Sequence, residues 1–273
     1  MLLRIRIQNF LSFQKETTFD MLTDPKIEGL PHHISKDTPL PLLKQAAIYG
    51  ANGAGKSNLI KAFVFLKNWG TNPKCLEEIE ICDYSFRMTD EDTKPPICLE
   101  VEFLSHQKAY LYKVAISEES IEESLYLSGL GKSADTLIFE RKDSKLLTHS
   151  LLNESAINEL LTANKKTSLL VLHQGLGGSY NPELKAAYEW FDQQLCIVKY
   201  PSDNLQLAKQ LTNDENLFDF VEDIIQSCDL DIDGIEREEN SEELLFLQYG
   251  PDDSVGYIDI EEQSEGTIQL LRL

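Results

Sequence analysis

The sequence lacks the features that mark membrane-spanning, disulfide-stabilised and zinc-binding proteins. It contains no run of 18 apolar residues, so no segment is expected to cross a bilayer. Its five cysteines, at positions 75, 82, 98, 196 and 228, form no Cys-x-x-Cys pair. This odd number of scattered cysteines indicates neither a disulfide framework nor a zinc site. We predict that they are buried and pack as small hydrophobic residues. The N-terminus alternates polar and apolar residues and lacks the apolar block of a signal peptide, so we predict a cytoplasmic protein.

Basic residues are scarce as well. The chain has 25 Lys and Arg against 46 Asp and Glu, which gives a net charge of −21. Such a charge repels the phosphates of nucleic acids and disfavours direct binding to them. That interaction stays open because a local basic patch is available in Lys142, Lys145, Lys165 and Lys166. Acidic runs at 118–123, 229–243 and 261–265 are typical of solvated faces or of docking surfaces for basic partners.

One short segment is rich in glycine instead. Residues 50 to 57 read Gly-Ala-Asn-Gly-Ala-Gly-Lys-Ser and complete the pattern G-x-x-x-x-G-K-S. Small residues let backbone N–H groups converge on phosphate oxygens, so the pattern predicts a site for ATP with Mg²⁺. We assign Lys56 to the β- and γ-phosphates and Ser57 to Mg²⁺. The predicted nucleotide-binding residues of this segment are Gly50, Asn52, Gly53, Ala54, Gly55, Lys56, Ser57 and Asn58.

The flanking residues give this loop its expected context. Residues 45–49 form a short apolar run typical of a buried strand, and apolar residues recur at helical spacing from Leu59 to Trp69. Elsewhere we predict strands near 2–8, 16–22, 84–88, 97–104, 110–116, 121–127 and 136–141. Helices are predicted at 151–163, 181–195 and 214–228, the second opened by Asn181 as N-cap and Pro182 at its first position.

Two further strings imitate known motifs. Gly129-Leu-Gly-Lys-Ser133 repeats the Gly-Lys-Ser ending, but Tyr126 stands where the pattern needs its first glycine. We interpret it as a turn between strands. Residues 229–234 match the start of a calcium-binding EF-hand loop, yet its twelfth position is Asn240 instead of glutamate. A helix that runs into a short strand at 230–235 fits this region better.

A second informative string lies near the C-terminus, where Ser264-Glu-Gly-Thr267 precedes an apolar-periodic segment. It resembles the signature motif of ABC-type ATPases, in the Ser-x-Gly-Thr form of the RecF, SMC and OLD-like branch. An ordinary helix N-cap is the alternative for Ser264. The string Asn9-Phe10-x-Ser12-Phe13 also resembles this branch, where the opening turn flanks the nucleotide base. The resemblance therefore adds Asn9 to the predicted nucleotide-binding residues.

Taken together, the motifs make the chain similar to the AAA-15/OLD-type ATPases of antiphage systems such as PARIS, Septu and Gabija and of abortive-infection loci. This resemblance implies an α/β fold: a P-loop NTPase with an ABC-ATPase-like head, of which the chain holds the N-terminal portion with a mixed β-sheet lobe and a helical lobe. We expect a nucleotide-binding lobe at 1–125, a β and helical insertion with the helical lobe at 126–260, and the signature motif at 261–273.

The resemblance also implies a homo-oligomer whose heads are bridged by ATP. Lys56 and Ser57 of one subunit would hold the nucleotide, while Ser264 and Gly266 of the other approach its γ-phosphate. The branch places a Walker B strand, four apolar residues followed by Asp-Glu, after the signature helix, and residues 1–273 contain no such string. Without these carboxylates Mg²⁺ loses a ligand and the attacking water a general base. We therefore expect this chain alone to bind ATP better than it hydrolyses it, and the natural polypeptide to continue.

Three functions follow as hypotheses. The first is an ATPase that senses a phage-derived trigger or holds an effector, with toxicity carried by a partner nuclease or toxin or by a C-terminal effector domain. The second is a DNA-repair ATPase of the RecF or SMC type. The third is an assembly scaffold in which ATP serves as structural glue and turnover is negligible.

Overall fold

The computed structural model describes most of the chain. The described residues are 1–24, 31–35, 38–50, 54–86, 95–151, 153–176, 181–198, 211, 215–227, 232–237, 244–249 and 255–260. They fall into two compact units, unit 1 at 1–197 and unit 2 at 198–273. The fold is mixed α/β, with a large antiparallel sheet and packed helices, as the sequence predicts for a P-loop NTPase-like domain.

Unit 1 is built on a seven-stranded antiparallel sheet with the order β2-β1-β5-β6-β7-β8-β9. Its strands are β1 (Leu2–Gln8), β2 (Thr17–Asp20), β5 (Ile97–Ser105), β6 (Lys108–Ile116), β7 (Ile121–Leu127), β8 (Thr136–Lys142) and β9 (Lys145–His149). A separate pair consists of β3 (Ile34–Ser35) and β4 (Leu42–Leu43). The β5–β6 hairpin closes through His106 and Gln107 at φ values of 46° and 64°, the backbone that a tight two-residue hairpin requires.

Helices cover the sheet of unit 1. They are α1 (Lys56–Thr71), α2 (Ile81–Tyr84), α3 (Glu154–Ala163), α4 (Leu169–Gln174) and α5 (Pro182–Glu189), and a π-helical turn Trp190–Gln194 follows α5. Helix α1 buries Leu59, Phe63, Leu66 and Trp69, residues spaced to lie on one face. It meets the π-helical turn so closely that a Cβ atom on Gly70 would lie 3.0 Å from the Phe191 ring.

Unit 2 contains one helix and one small sheet in its described residues. Helix α6 (Glu215–Ser227) buries Val221 and Ile225. Strands β10 (Gly234–Arg237), β11 (Leu244–Tyr249) and β12 (Val255–Asp259) form an antiparallel sheet. Their core includes Leu244 and Phe246, both fully buried. The helix predicted at 214–228 is thereby confirmed.

Most of the predicted elements of unit 1 are confirmed as well, including the turn at 129–133. Asn181 and Pro182 take the predicted N-cap and first positions of α5, but the Asn181 side chain makes no capping hydrogen bond. Two strand predictions are wrong. Residues 84–86 include the end of α2 and no strand, and residues 45–50 have no regular structure and are exposed. A strand needs a neighbour to satisfy its backbone N–H and C=O groups, and no described strand lies beside residues 45–50.

The cysteine prediction is only partly right. Cys75 is buried, but Cys82 and Cys196 are exposed, and all four described cysteines are free. Position 228 lies outside the described residues. Cys82 lies in the short helix α2 and Cys196 follows the π-helical turn. The small size of these two side chains therefore did not lead to their burial. None of the helices in the described residues combines the length and the apolar character that a membrane crossing requires.

Candidate phosphate-binding site

The start of helix α1 is shaped by a glycine that no other residue can replace without strain. Gly55 is the N-cap of α1 and has a φ of 90° in the left-handed region. A Cβ atom here would also lie 2.9 Å from Ser12 Oγ and 3.6 Å from the Phe13 ring. The first turn of a helix leaves backbone N–H groups without intrahelical partners, and these groups favour anions. The glycine thus brings the loop and the helix start close together while leaving donors for phosphate oxygens.

Lys56 and Ser57 lie on this first turn. The Lys56 ammonium donates a hydrogen bond to the Gly50 carbonyl oxygen at 2.7 Å, across the mouth of the loop. This exposed contact stabilises the chain by little, so an anionic phosphate oxygen is a stronger partner for the ammonium than the carbonyl. Ser57 is exposed, and its hydroxyl is of the type that binds Mg²⁺ beside a phosphate.

The turn after β1 packs against the phosphate-loop helix. Ser12 Oγ accepts a hydrogen bond from Asn58 Nδ2 at 2.9 Å. Phe10 is fully buried, and its ring lies edge-on to that of Phe65 in α1, with 5.7 Å between the centroids. The turn from residue 9 to residue 13, which the sequence associates with the nucleotide, therefore supports the start of α1. Ser12 was missing from the predicted site residues, although it belongs to the same string.

Asn9 has contacts of a different kind. It is 4% exposed, has a φ of 51°, and its side-chain amide donates to the carbonyl oxygens of Pro95 and Pro96 at 2.6 and 3.2 Å. These contacts connect the turn after β1 to the start of β5. Its carbonyl oxygen Oδ1 is buried and has no hydrogen-bond partner among the described residues. A contact between Asn9 and the nucleotide stays a prediction.

Six of the predicted site residues come together at the N-terminal end of α1: Gly50, Ala54, Gly55, Lys56, Ser57 and Asn58. Asn52, Gly53, Ser264 and Gly266 lie outside the described residues, as does half of the EF-hand-like string at 229–240. In the part of the chain that the structure describes, no cluster of three or more His, Cys, Asp or Glu side chains could hold a metal ion. Ser57 as the Mg²⁺ ligand stays a prediction.

Comparison with known families agrees with this geometry. Residues 46–273 match the family described as "AAA domain, putative AbiEii toxin, Type IV TA system". The chain belongs to this family. It is therefore an AAA domain of the P-loop ATPase class, whose members bind nucleoside triphosphates at such a loop. No curated protein matches the chain.

The opposite end of α1 in this AAA domain is held by buried charges. Arg141 and Glu123 are both fully buried, and Arg141 Nε donates to Glu123 Oε2 at 2.6 Å. Glu123 also accepts from the Tyr112 hydroxyl at 2.6 Å and from the Leu169 backbone N–H at 3.0 and 3.1 Å. Trp69 of α1 donates its Nε1–H to the Tyr112 hydroxyl at 2.7 Å. We call these five residues the buried network; it joins α1 to β6, β7, β8 and α4.

The remaining donors of Arg141 are satisfied by backbone carbonyls. They bond to the oxygens of Asp143, Lys165 and Thr167 at 2.7, 3.4 and 2.8 Å. Burial, followed by the charge of Glu123, raises the pKa of Tyr112 well above its ordinary value, so the hydroxyl stays a donor. Sequence reasoning missed this network. The sequence did carry a signal. Glu123 is two residues from Leu125, and Arg141 is two residues from Phe139, so each charged residue shares a strand face with a buried apolar residue.

Proposed function

We propose that this chain is an ABC-type ATPase subunit that dimerises around ATP and controls an effector, a nuclease or toxin, in antiphage defence. One observation carries the proposal: α1 opens on a left-handed glycine followed by Lys56, whose ammonium donates to the Gly50 carbonyl across the loop, in a chain whose family description names a toxin–antitoxin system. A phage-derived trigger would act through the nucleotide-bound dimer.

The binding step follows from the residues at the helix start. The Lys56 ammonium exchanges the Gly50 carbonyl for the β- and γ-phosphates, and the first-turn N–H groups donate to the same anion. Mg²⁺, when bound by Ser57, neutralises phosphate charge. Ser264 and Gly266 of a second subunit complete the site in our proposal. Because a ligand that bridges two subunits stabilises their association, ATP would favour the dimer and its loss would favour separation.

Turnover is a separate part of the proposal. The chain offers a phosphate loop but no apolar strand that ends in Asp-Glu, the pattern that supplies a general base. We therefore propose that residues 1–273 bind ATP more readily than they hydrolyse it. If ATP persists unhydrolysed in the assembled protein, it acts as structural glue, and the protein is a scaffold in place of a switch.

The decisive experiment changes one charge at the loop. Lys56→Ala should weaken ATP binding at least about 100-fold, because it removes the cation that meets the phosphates. Binding is measured with a fluorescent ATP analogue, and phosphate release is followed in parallel. Lys61→Ala is the matched control, since Lys61 is an exposed lysine on the same helix. Equal ATP affinity of the Lys56→Ala and wild-type proteins would exclude this site.

A second variant separates binding from dimerisation. Ser264→Arg should leave ATP affinity unchanged but prevent ATP-dependent dimer formation, because arginine is larger than serine and adds a positive charge at the contact with the facing subunit. Sedimentation with and without ATP measures this effect. The control is Ser227→Arg, which adds the same charge at an exposed position of α6. ATP-dependent dimers of normal stability in Ser264→Arg would rule out the signature role.

One observation favours a second candidate, a DNA-repair ATPase. Arg141 bonds to the carbonyls of both Asp143 and Lys165, so the β8–β9 turn and the Lys165–Lys166 loop are neighbours, and their lysines are exposed. Lys142, however, pairs with Glu122 at 2.7 Å, which reduces the free positive charge. Binding of a labelled DNA duplex as a function of salt tests this function. It requires a steep salt dependence, and weaker binding with a salt slope lower by about one in Lys165→Gln.

A further inference from the structure

A cavity of about 710 Å³ lies beyond the C-terminal end of α1 in unit 1. None of the described residues of the candidate ATP site lines this cavity. The cavity is therefore separate from that site. Four segments line it: residues 76–82, the β6–β7 turn, the β8–β9 turn, and the loop at 165–166. Its volume is that of a site for a peptide segment or a small molecule.

The walls of the cavity are fixed to one another by hydrogen bonds. Asp143 N donates to the Ile121 carbonyl at 2.7 Å, and Ile121 N donates to Asp143 Oδ1 at 2.9 Å. Arg141, fully buried, joins the β8–β9 turn to the loop at 165–167 through three carbonyls. The Thr167 hydroxyl donates to the Pro73 carbonyl at 2.9 Å and so ties that loop to the segment after α1. Because the cavity is formed in advance, the protein loses little conformational entropy when a ligand binds.

The lining combines apolar surface with a surplus of acid. Leu76, Ile79 and Ile81 are only partly buried and turn apolar surface to the cavity, and Ile121 adds a fourth apolar side chain. Four carboxylates stand on the walls against two ammonium groups: Glu80, Glu118, Glu119 and Asp143 against Lys165 and Lys166. Glu118 and Glu119 are neighbours on the β6–β7 turn, whereas both lysines belong to the loop at 165–166. The net charge of −21 adds long-range attraction for cations.

We propose that this cavity is a docking site for a protein segment in which an apolar side chain is flanked by lysine or arginine. The aliphatic side chain would fill the floor formed by Leu76, Ile79 and Ile81, and the flanking cations would lie against Glu118 and Glu119. Apolar burial supplies affinity, and the charges select the partner and speed its arrival. The inference rests on the cavity alone and holds whether or not the chain hydrolyses ATP.

The test uses a defined probe, a fluorescein-labelled peptide with two leucines flanked on each side by two lysines, and the full 273-residue chain. Fluorescence anisotropy gives its Kd. Two altered peptides carry glutamate in place of each lysine or serine in place of each leucine, and each should bind at least about tenfold more weakly. Raising the salt to about 0.5 M should weaken the lysine peptide while keeping the preference for leucine over serine, since salt screens only the charges.

A pair of charge reversals locates the site. Glu119→Lys on the cavity wall should weaken the lysine peptide about tenfold, whereas Glu159→Lys, on the exposed face of α3, changes the net charge equally and should leave the Kd unchanged. Thermal unfolding of both variants shows that each is folded. Equal weakening by both reversals, tighter binding of the glutamate peptide, or no binding of any peptide at about 1 mM would each overturn the proposal. The Lys56→Ala protein keeps the cavity, so loss of ATP binding there does not affect this result.

Discussion

The two ends of helix α1 are built in opposite ways. At the N-terminal end, Lys56 is only partly buried, and its ammonium donates to the Gly50 carbonyl at the open helix start. At the C-terminal end, Trp69 is fully buried and hydrogen-bonded to Tyr112 within the buried network. The difference shows how one helix can serve two purposes. The first-turn N–H groups and the Lys56 ammonium can meet a ligand at one end. At the other end, the Trp69 Nε1–H is bonded to Tyr112 and fixes the helix to the sheet.

The same contrast appears in the two cations at these ends. Lys56 is a flexible point charge in water, so its carbonyl contact is easily exchanged for a phosphate. Arg141 has no exposed surface, and it bonds to Glu123 and three carbonyls. Breaking a buried charge pair leaves an uncompensated charge in the interior, whereas breaking an exposed contact costs little. Substitutions at the two ends should therefore affect different quantities, namely stability at one end and ligand affinity at the other.

The largest effect on stability is expected from Glu123→Ala. It leaves the Arg141 guanidinium buried without a counter-charge and removes the acceptor of Tyr112 and Leu169, so the free energy of unfolding should fall by about 3 to 5 kcal/mol. Urea unfolding measures this loss. The neighbouring Glu122→Ala is the control, because Glu122 and Lys142 are both more than half exposed and water screens their pair, so its loss should change stability little. Similar losses in the two variants would mean that the buried network does not anchor the domain.

A smaller effect is expected from Gly55→Ala at the open end. Alanine at a φ of 90° is strained by about 1 to 2 kcal/mol, and its Cβ would lie 2.9 Å from Ser12 Oγ. Gly131→Ala is the matched control, since Gly131 has a φ of 72° but a Cβ atom there would meet no atom of the described residues within 4 Å. Both variants should lose stability from backbone strain, and only Gly55→Ala should also weaken ATP binding. An unchanged ATP affinity in Gly55→Ala would show that the Ser12 contact does not shape the phosphate loop.

These two ends also differ in how well the sequence predicts them. The phosphate loop is a local pattern, in which glycine spacing, Lys56 and the apolar period of α1 all lie within about twenty residues. Such a pattern specifies its structure through backbone geometry, so the start of α1 is as predicted. The buried network joins residues from Trp69 to Leu169, and no local periodicity relates them. The local signal for this network is that Glu123 in β7 and Arg141 in β8 stand at positions where a strand places buried residues.

Residues 45–50 show the reverse failure, in which a clear local pattern gave a wrong structure. Their apolar run has the composition of a buried strand, but Ile48 is 44% exposed and Tyr49 is 93% exposed. Strand formation depends on a partner that supplies backbone hydrogen bonds, and the composition of one segment does not specify that partner. Six of the seven strands of the large sheet were predicted, and each of these pairs with a strand that is adjacent along the chain. Strand β9 was not predicted.

The smallest expected effect is a pH dependence of stability, and it tests how well the interior near the buried network excludes a proton. His173 in α4 has no exposed surface, and neither ring nitrogen has a hydrogen-bond partner in the described part of the chain. Burial lowers its pKa, so below the ordinary value of about 6.5 the unfolded chain binds a proton that the folded chain does not. Stability should therefore fall as the pH drops from 7 through that value. The unfolding midpoint of His173→Leu should fall less over this range, while His32→Gln, at an exposed position, should follow the wild type. Identical pH profiles for wild type and His173→Leu would mean that His173 is protonated as readily in the folded chain as in the unfolded chain.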